Sequence, residues 1–273
     1  SFPGAQVLGV PDSARADWRL PAELHADAQM AAGDFTALCR AERQQFPAPR
    51  PYLLADPDRR AQFRARLAQW GGGLKVGISW RGGLNPRDRR LRWTPLAAWS
   101  PLLEHKGIEF VNLQYGANAA EITALDPALR QRLHSLDELD LDQQIDDVAA
   151  LIAELDLVIA ASNVNIHLAG ALGTPGWALV PASGNWRWTR GTDRTLWYSS
   201  IELVRQTDPA RWDEVFATLR GKLTHRAARP KPSSGAVAEL VDRAAQGERR
   251  AAPSMRGMGL VEQHPLLTPE SCW

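Results

Sequence analysis

Two apolar runs separated by a short segment of small and polar residues constrain the fold of this chain more than any other feature. Residues 155–161 have the length and the branched side chains of a buried parallel strand, and residues 177–180 are typical of the next strand. The segment between them predicts a helix that ends at Gly173. Strand, helix and strand in this order form the unit from which parallel α/β sheets are built.

The start of that helix predicts an anion-binding site. A helix that follows a parallel strand directs backbone N–H groups without helical partners into the crevice where α/β sheets bind ligands. Ser162, Asn163 and Asn165 stand at this point, and His167 follows one turn later. Because such N–H groups favour phosphate, we expect a diphosphate to bind here.

The alternation of strands and helices extends over most of the chain. We expect strands at residues 74–80 and 108–115, and helices at residues 59–70, 143–155 and 213–223. This order implies an α/β fold with a Rossmann-like parallel sheet and right-handed crossovers.

Composition excludes several classes of partner and environment. With 44% hydrophobic and 23% charged residues, the 273-residue chain is ordinary for a globular protein, and its net charge of +1 argues against a nucleic-acid or membrane-surface partner. No apolar run approaches the roughly 20 residues needed to span a bilayer. Two cysteines imply no disulfide framework, so we expect a reducing, cytoplasmic location. The start at Ser1, without Met or a signal pattern, favours a segment of a longer protein.

Several motifs follow one another in a fixed order between about residues 47 and 220. They lie at residues 75–83, 110–116, 147–152 and 162–175, followed by two aromatic-containing segments at 186–188 and 197–200 and by Arg205 and Gln206. This ordered set resembles the ADP-heptose:lipopolysaccharide heptosyltransferase family. It is more similar still to the heptosyltransferase-like glycosyltransferase domains of bacterial tetratricopeptide-repeat proteins.

The resemblance implies the C-terminal, donor-binding half of a two-domain GT-B fold, with a truncated N-terminal half. Residues 1–46 would be the remnant of the acceptor-binding half, residues 47–73 a proline-rich interdomain linker and helix, and residues 74–223 the nucleotide-sugar-binding domain. Residues 224–273, rich in Ala, Arg, Pro, Ser and Gly, are expected to form a mobile tail. In the family the catalytic base lies in the N-terminal half, so no catalytic residue is assigned here.

A basic loop follows the first strand of the regular pattern. Residues 81–93 contain five arginines and a single acid, Asp88. The guanidinium fork suits phosphate oxygens and requires no metal, although a solvated basic loop would have the same composition. The resemblance singles out Arg81 and Arg92 as contacts of the donor diphosphate.

Other candidate contacts come from single residues. His167 either binds a donor phosphate or orients the loop, and no metal ligands are spaced to join it. Gln114 either contacts the nucleoside or caps the next helix. Trp186 and Arg187, with the tryptophan that follows them, suit stacking on a base or sugar, or else pack under their loop. The family often has an acidic residue where Ser162 stands.

Together these observations predict a glycosyltransferase of hexosyl or heptosyl type, incomplete as this chain. It would bind a nucleotide-diphosphate sugar and transfer the sugar to a protein or glycan acceptor, without metal or cofactor. Two alternatives remain open: a non-catalytic nucleotide-sugar-binding or scaffold module of a repeat protein, and a sugar-nucleotide epimerase.

Overall fold

The structure, a computed structural model, describes residues 39–82, 93–182, 187–209 and 211–228. The chain divides into two compact units, one formed by Ser1–Pro47 with Pro232–Trp273 and the other by Ala48–Lys231. In the first unit, the described residues include a short 3-10 helix, Arg43–Gln45. Most of the expected N-terminal remnant and of the expected tail lies outside the described residues.

Six strands of the second unit form a single parallel sheet. They are β1 (Leu74–Ser79), β2 (Ile108–Asn112), β3 (Leu133–His134), β4 (Leu157–Ala161), β5 (Gly176–Val180) and β6 (Ile201–Arg205). Their order across the sheet is β3-β2-β1-β4-β5-β6, and every neighbouring pair is parallel. The α/β, Rossmann-like fold predicted from the sequence is therefore confirmed.

Seven α-helices connect or flank the strands among the described residues. They are α1 (Pro57–Ala68), α2 (Ser100–Leu103), α3 (Ala119–Thr123), α4 (Pro127–Arg130), α5 (Ile145–Ala153), α6 (Val164–Leu172) and α7 (Asp213–Ala227). A 3-10 turn, Leu96–Trp99, leads directly into α2. None of the helices described has the length and hydropathy needed to cross a membrane.

Both faces of the sheet are buried by helices. Alternate residues of each strand point to opposite sides, so each strand contributes to both cores. On one face Ile78, Phe110 and Ile159 pack with residues of α2 and α7 such as Leu102 and Leu219. On the other face the core is formed together with α1, α5 and α6, and its members include Val111, Val158, Ala160, Leu67, Leu151 and Ile166. This double burial explains the near-continuous apolar composition of the central strands.

Several boundaries differ from those expected. The strand expected at residues 108–115 ends at Asn112, whose Oδ1 accepts a hydrogen bond from the Gln114 backbone at 2.9 Å and turns the chain. The final helix continues to Ala227, four residues beyond the end expected at residue 223. Sequence analysis missed β3, which has two residues, and β6, an edge strand in which buried and half-buried positions are mixed.

The region expected to be a linker packs onto the sheet domain. Arg60 and Arg64 of α1 both bind the carboxylate of Glu154, at 2.7 and 2.8 Å, just after α5. The compact unit accordingly begins at Ala48 and includes α1.

Helix α6 ends where the sequence predicts. Gly173 has a φ of +80° and caps the helix in the left-handed region, which favours glycine. Pro51 packs against this glycine, and the backbone N–H groups of Tyr52 and Leu53 both donate to the Ala171 carbonyl, at 2.8 and 3.0 Å.

Candidate functional site

The strand order places the candidate site at the carboxyl ends of β1 and β4. β2 and β3 lie in succession on one side of β1, and the chain then crosses to the other side of β1, where β4 lies. In α/β sheets this point of reversal is where loops diverge and ligands bind. Arg81 lies just after β1, and Ser162 and Asn163 lie just after β4, so the structure brings these three predicted residues together.

Asn163 joins the two strand ends from inside the protein. Its Oδ1 accepts a hydrogen bond from the Asn165 backbone at 3.1 Å and caps α6. Its Nδ2 donates to Ser79 Oγ at 2.7 Å and to the Arg81 carbonyl at 2.9 Å. The side chain is 5% exposed. Asn163 thus holds the site together, and its amide is already bonded to protein groups.

Gln114 occupies a similar internal position. Its buried Oε1 accepts hydrogen bonds from the Arg81 backbone at 2.9 Å and from Ser79 Oγ at 3.3 Å, and its Nε2 donates to the Tyr115 carbonyl at 3.0 Å. Asn165 adds a further link, since its Nδ2 donates to the Leu113 carbonyl at 2.7 Å. The buried amides of this region therefore fix the backbone around the ends of β1 and β2.

The guanidinium of Arg81 is paired in the structure. It contacts the Glu121 carboxylate and the Ala117 carbonyl, and lies 5.7 Å from the centroid of the Trp93 ring. Glu121 also accepts a hydrogen bond from Trp80 Nε1 at 3.2 Å. Arg81 is thus held towards α3. Arg92, the second arginine predicted to contact diphosphate, lies outside the described residues.

His167 is packed among aromatic side chains. Its ring stacks on Trp188 with a centroid distance of 5.0 Å and an interplanar angle of 9°, and its Nδ1 is 3.1 Å from the Tyr198 hydroxyl oxygen. Trp188 Nε1 donates to Ser162 Oγ at 2.7 Å. Burial, with a smaller contribution from the charge of Arg187, lowers the pKa of His167 to about 4. The imidazole is therefore neutral at neutral pH.

The aromatic segment after β5 contributes both buried and exposed groups. Trp188 is 1% exposed and packs in the core, whereas Arg187 is exposed and its charge acts on both His167 and Tyr198. Burial also raises the pKa of Tyr198, so its hydroxyl stays protonated. Trp186 lies outside the described residues. Sequence reasoning missed Tyr198 as a partner of His167, although residues 197–200 belong to the motif set.

A cleft of about 440 Å³ shares Gln114 with the candidate site, whereas Arg81, Asn163 and His167 do not line it. It lies at the carboxyl ends of β2 and β3, between α3 and the loop of residues 135–142. Its walls combine apolar and polar groups, among them Gln114, Tyr115, Ile122, Leu136, Asp140 and Asp142. This volume is within the range of sites for small organic ligands.

The acidic loop of the cleft was not singled out from the sequence. Asp142 accepts a hydrogen bond from the Gly116 backbone at 3.1 Å, and Asp140 accepts from the backbones of Asp142 and Gln143. The sequence feature that could have identified this loop is the run of acidic residues after residue 135. Within the described parts of the chain, no group of three His, Cys, Asp or Glu side chains is placed to hold a metal ion.

No protein-family profile matches the chain. It is 37% identical over 199 residues to Protein FlbA of Caulobacter vibrioides, an alignment that covers 72% of this chain and 33% of that protein. The chain thus spans about a third of the length of this curated relative.

Two solved structures that resemble this chain are glycosyltransferases. The ADP-heptose lipopolysaccharide heptosyltransferase II of Escherichia coli has 16% identity and a TM-score of 0.45, covering 66% of this chain and 57% of its own. The family 9 glycosyl transferase from Veillonella parvula has 14% identity and a TM-score of 0.38, covering 68% of this chain and 48% of its own.

Proposed function

We propose that this chain binds a nucleotide-diphosphate sugar at the carboxyl edge of its sheet, as the donor-binding half of a GT-B glycosyltransferase. The observation that carries the proposal is the reversal of strand order between β1 and β4. It sets Arg81 and the start of the nine-residue helix α6 at the same edge, beside the cleft.

The diphosphate is assigned to the start of α6. The first N–H groups of a helix have no intrahelical acceptor and carry partial positive charge, which favours an anion. Within the described parts of the chain, Asn163 Oδ1 accepts from the backbone of Asn165 and from no other N–H group at the start of α6, which in the proposal leaves the neighbouring N–H groups to the ligand. Arg81, Arg92 and Arg187 supply positive charge around this point in the proposal, and Ser162 and His167 supply uncharged hydrogen-bonding groups.

The nucleoside is assigned to the adjacent cleft. Gln114 connects the two subsites, because it lines the cleft while its Oε1 holds the backbone of Arg81. In the proposal, one ligand extends from the cleft past Gln114 to the start of α6. Asp140 and Asp142 are acceptors suited to ribose hydroxyls, and Tyr115 and Leu136 provide apolar surface for a base.

In the proposed reaction, the site stabilises the departing nucleoside diphosphate by arginine charge and helix N–H groups, without a divalent metal. Preorganised donors of this kind contribute about 2.7–4 kcal/mol each to a transition state. The transferred group would be a hexose or heptose and the acceptor a protein or glycan, with reaction in the bacterial cytoplasm and in association with tetratricopeptide repeats. These finer assignments follow the sequence resemblance.

A second candidate function is nucleotide-sugar binding without catalysis. It is favoured by one observation: the described side chains of Arg81, Gln114 and Asn163 are already paired with protein groups. A site of this kind would hold its ligand mainly through backbone groups and would contribute little that is specific to a transition state.

Calorimetry with ADP, GDP, UDP, CDP and dTDP, each beside its nucleoside, tests the proposal. We expect one base to be preferred, and its diphosphate to bind more tightly than the nucleoside. The preferred nucleotide-diphosphate sugar is then incubated with the protein, and release of the nucleoside diphosphate is followed. Release above the uncatalysed rate supports a transferase, whereas binding without release supports the second candidate. Failure of every diphosphate to bind would contradict both.

A further inference from the structure

We propose that Tyr198 is a positioning residue: its hydroxyl fixes the tautomer of His167 so that the Nε2–H of the imidazole donates to the ligand's diphosphate. This inference rests on the proposed function, because it assigns a role within the same diphosphate site.

The orientation of the His167 imidazole ring is fixed by its aromatic neighbours. Trp188 stacks on one face with nearly parallel planes, and the Tyr198 ring lies 5.8 Å away at an angle of 57°. Trp188 is itself held by its bond to Ser162, the residue just before the helix cap. The ring therefore cannot turn without disturbing a nearly fully buried tryptophan.

The hydrogen bond with Tyr198 determines which nitrogen of the His167 ring carries the proton. A phenol is a good hydrogen-bond donor, and the unprotonated nitrogen of a neutral imidazole is a good acceptor. The Tyr198 hydroxyl lies 3.1 Å from Nδ1 and is protonated, because burial raises its pKa, and it also hydrogen-bonds to the Tyr52 side chain. A hydroxyl can donate one hydrogen bond and accept another, so the pairing we propose has Tyr198 donating to Nδ1 and accepting from Tyr52. The single proton of the neutral ring then resides on Nε2.

The Nε2 atom of His167 is available to hydrogen-bond to a ligand. No residue in the described part of the chain hydrogen-bonds to this nitrogen, and the ring is only partly buried. His167 is the fourth residue of α6 and so belongs to its first turn, where backbone N–H groups face the proposed diphosphate. An Nε2–H here adds a directional donor without adding charge, and Arg187 already provides positive charge nearby.

The experiment reads the tautomer directly in the full chain. Nitrogen-15 NMR distinguishes the protonated from the unprotonated ring nitrogen of each histidine, and comparison with the His167→Gln spectrum assigns the signals. We expect wild type without ligand to show a protonated Nε2 and an unprotonated Nδ1 at His167. Tyr198→Phe removes only the hydroxyl and should give a mixture of tautomers. Tyr52→Phe is a second test: it removes the other hydrogen-bond partner of the Tyr198 hydroxyl, and because that hydroxyl can still donate to Nδ1, the His167 tautomer should be retained.

Ligand titration tests the contact with the diphosphate. Inorganic pyrophosphate and the preferred nucleoside diphosphate should each shift the Nε2 signal of wild type, and Tyr198→Phe should weaken their binding about three- to tenfold. A protonated Nδ1 in wild type would overturn the inference, as would a tautomer unaffected in Tyr198→Phe. If Tyr198→Phe does not fold, the wild-type tautomer still decides.

The two proposals fail in different ways. If a diphosphate binds but leaves Nε2 unshifted, this inference is wrong and the proposed function stands. If no diphosphate binds at all, the proposed function fails and the donor role of Nε2 fails with it.

Discussion

His167 is the residue whose protonation has the clearest energetic consequence. In the folded protein burial lowers its pKa from 6.5 to about 4. Between these values the unfolded chain binds a proton that the folded protein does not. The stability contributed by the neutral ring is therefore complete above pH 6.5 and is lost as the pH falls towards 4.

We therefore expect His167→Gln to reduce the pH dependence of stability. Between pH 6.5 and 4, the free energy of unfolding of wild type should fall by on the order of 3 kcal/mol more than that of the variant. Urea denaturation at a series of pH values measures this difference. His225→Gln, at an exposed position of α7, is the control and should retain the wild-type slope. Equal slopes for wild type and His167→Gln would refute the buried, neutral histidine.

Arg81 tests the charge of the proposed diphosphate site. Arg81→Ala should weaken nucleoside diphosphate binding about tenfold or more, because a charge-assisted hydrogen bond contributes roughly 1.5–3 kcal/mol. Binding of the nucleoside alone should change little. Calorimetry of both ligands provides the comparison, with Arg220→Ala on the exposed side of α7 as the matched arginine control. Unchanged diphosphate affinity in Arg81→Ala would remove this arginine from the site.

Asn163 tests the link between β1 and α6. Asn163→Ala loses the helix cap and leaves the hydrogen-bonding groups of Ser79 and Arg81 without this partner, so we expect a loss of about 3 kcal/mol in unfolding free energy. Asn163→Asp keeps the capping oxygen but loses the two Nδ2 donations, and its loss should be intermediate. Chemical denaturation ranks the three proteins. An alanine variant as stable as wild type would show that the amide links contribute little.

At the scale of elements, one face of α6 depends on a glycine. A Cβ at Gly170 would lie 2.3 Å from Cγ of Tyr198, well inside a normal contact. The helix can therefore approach the tyrosine only because this residue has no side chain. The same close approach sets the distance between Tyr198 and His167, which lies one turn earlier on α6.

A pair of glycine substitutions separates packing from helix propensity. Gly170→Ala should destabilise the protein by about 1–3 kcal/mol through overpacking. Gly221→Ala, in α7 with no atom within 4 Å of its added Cβ, should stabilise it by up to about 1 kcal/mol. Thermal and urea denaturation of both variants measure these shifts. Two shifts of the same sign would contradict the close packing at Gly170.

The elements also show how far the sequence predicts this structure. β4 is a continuous apolar run and β1 is interrupted only by Lys75 and Ser79; both strands are buried, and Gly173 marks the end of α6, so these elements were predictable from local pattern. The two-residue β3 is too short to give a periodic signal. β6 lies at the sheet edge, and Glu202 interrupts its apolar residues, so it lacks the continuous run of a central strand.

The sequence predicts where the candidate site lies, but not the hydrogen-bond and ion-pair partners of its side chains. Parallel topology alone brings Arg81, Ser162 and Asn163 to one edge. The partners of these groups are distant in sequence: Glu121 pairs with Arg81, and Trp188 donates to Ser162. Such contacts depend on how loops pack after folding, and local sequence patterns do not specify them.

At the scale of the whole molecule, we expect nucleoside diphosphate binding to be independent of divalent metal. Mg²⁺ and Mn²⁺ use oxygen ligands, usually carboxylates together with phosphates. In the proposed site the diphosphate instead meets arginines and the start of α6. Affinity measured in EDTA should match affinity in millimolar Mg²⁺ or Mn²⁺. A strong requirement for metal would contradict the arginine-based site and direct attention to the carboxylates of the cleft.

The attachment of residues 51–53 to the end of α6 has a mechanical consequence. Pro51 presses on Gly173, and two N–H groups donate to Ala171, at the end of the helix opposite the proposed diphosphate. A nine-residue helix is about 13 Å long and stiff along its axis. Tension on the chain before Pro51 would therefore be transmitted along α6 to the ligand, so that a pulling force applied there would change how long a bound nucleotide stays.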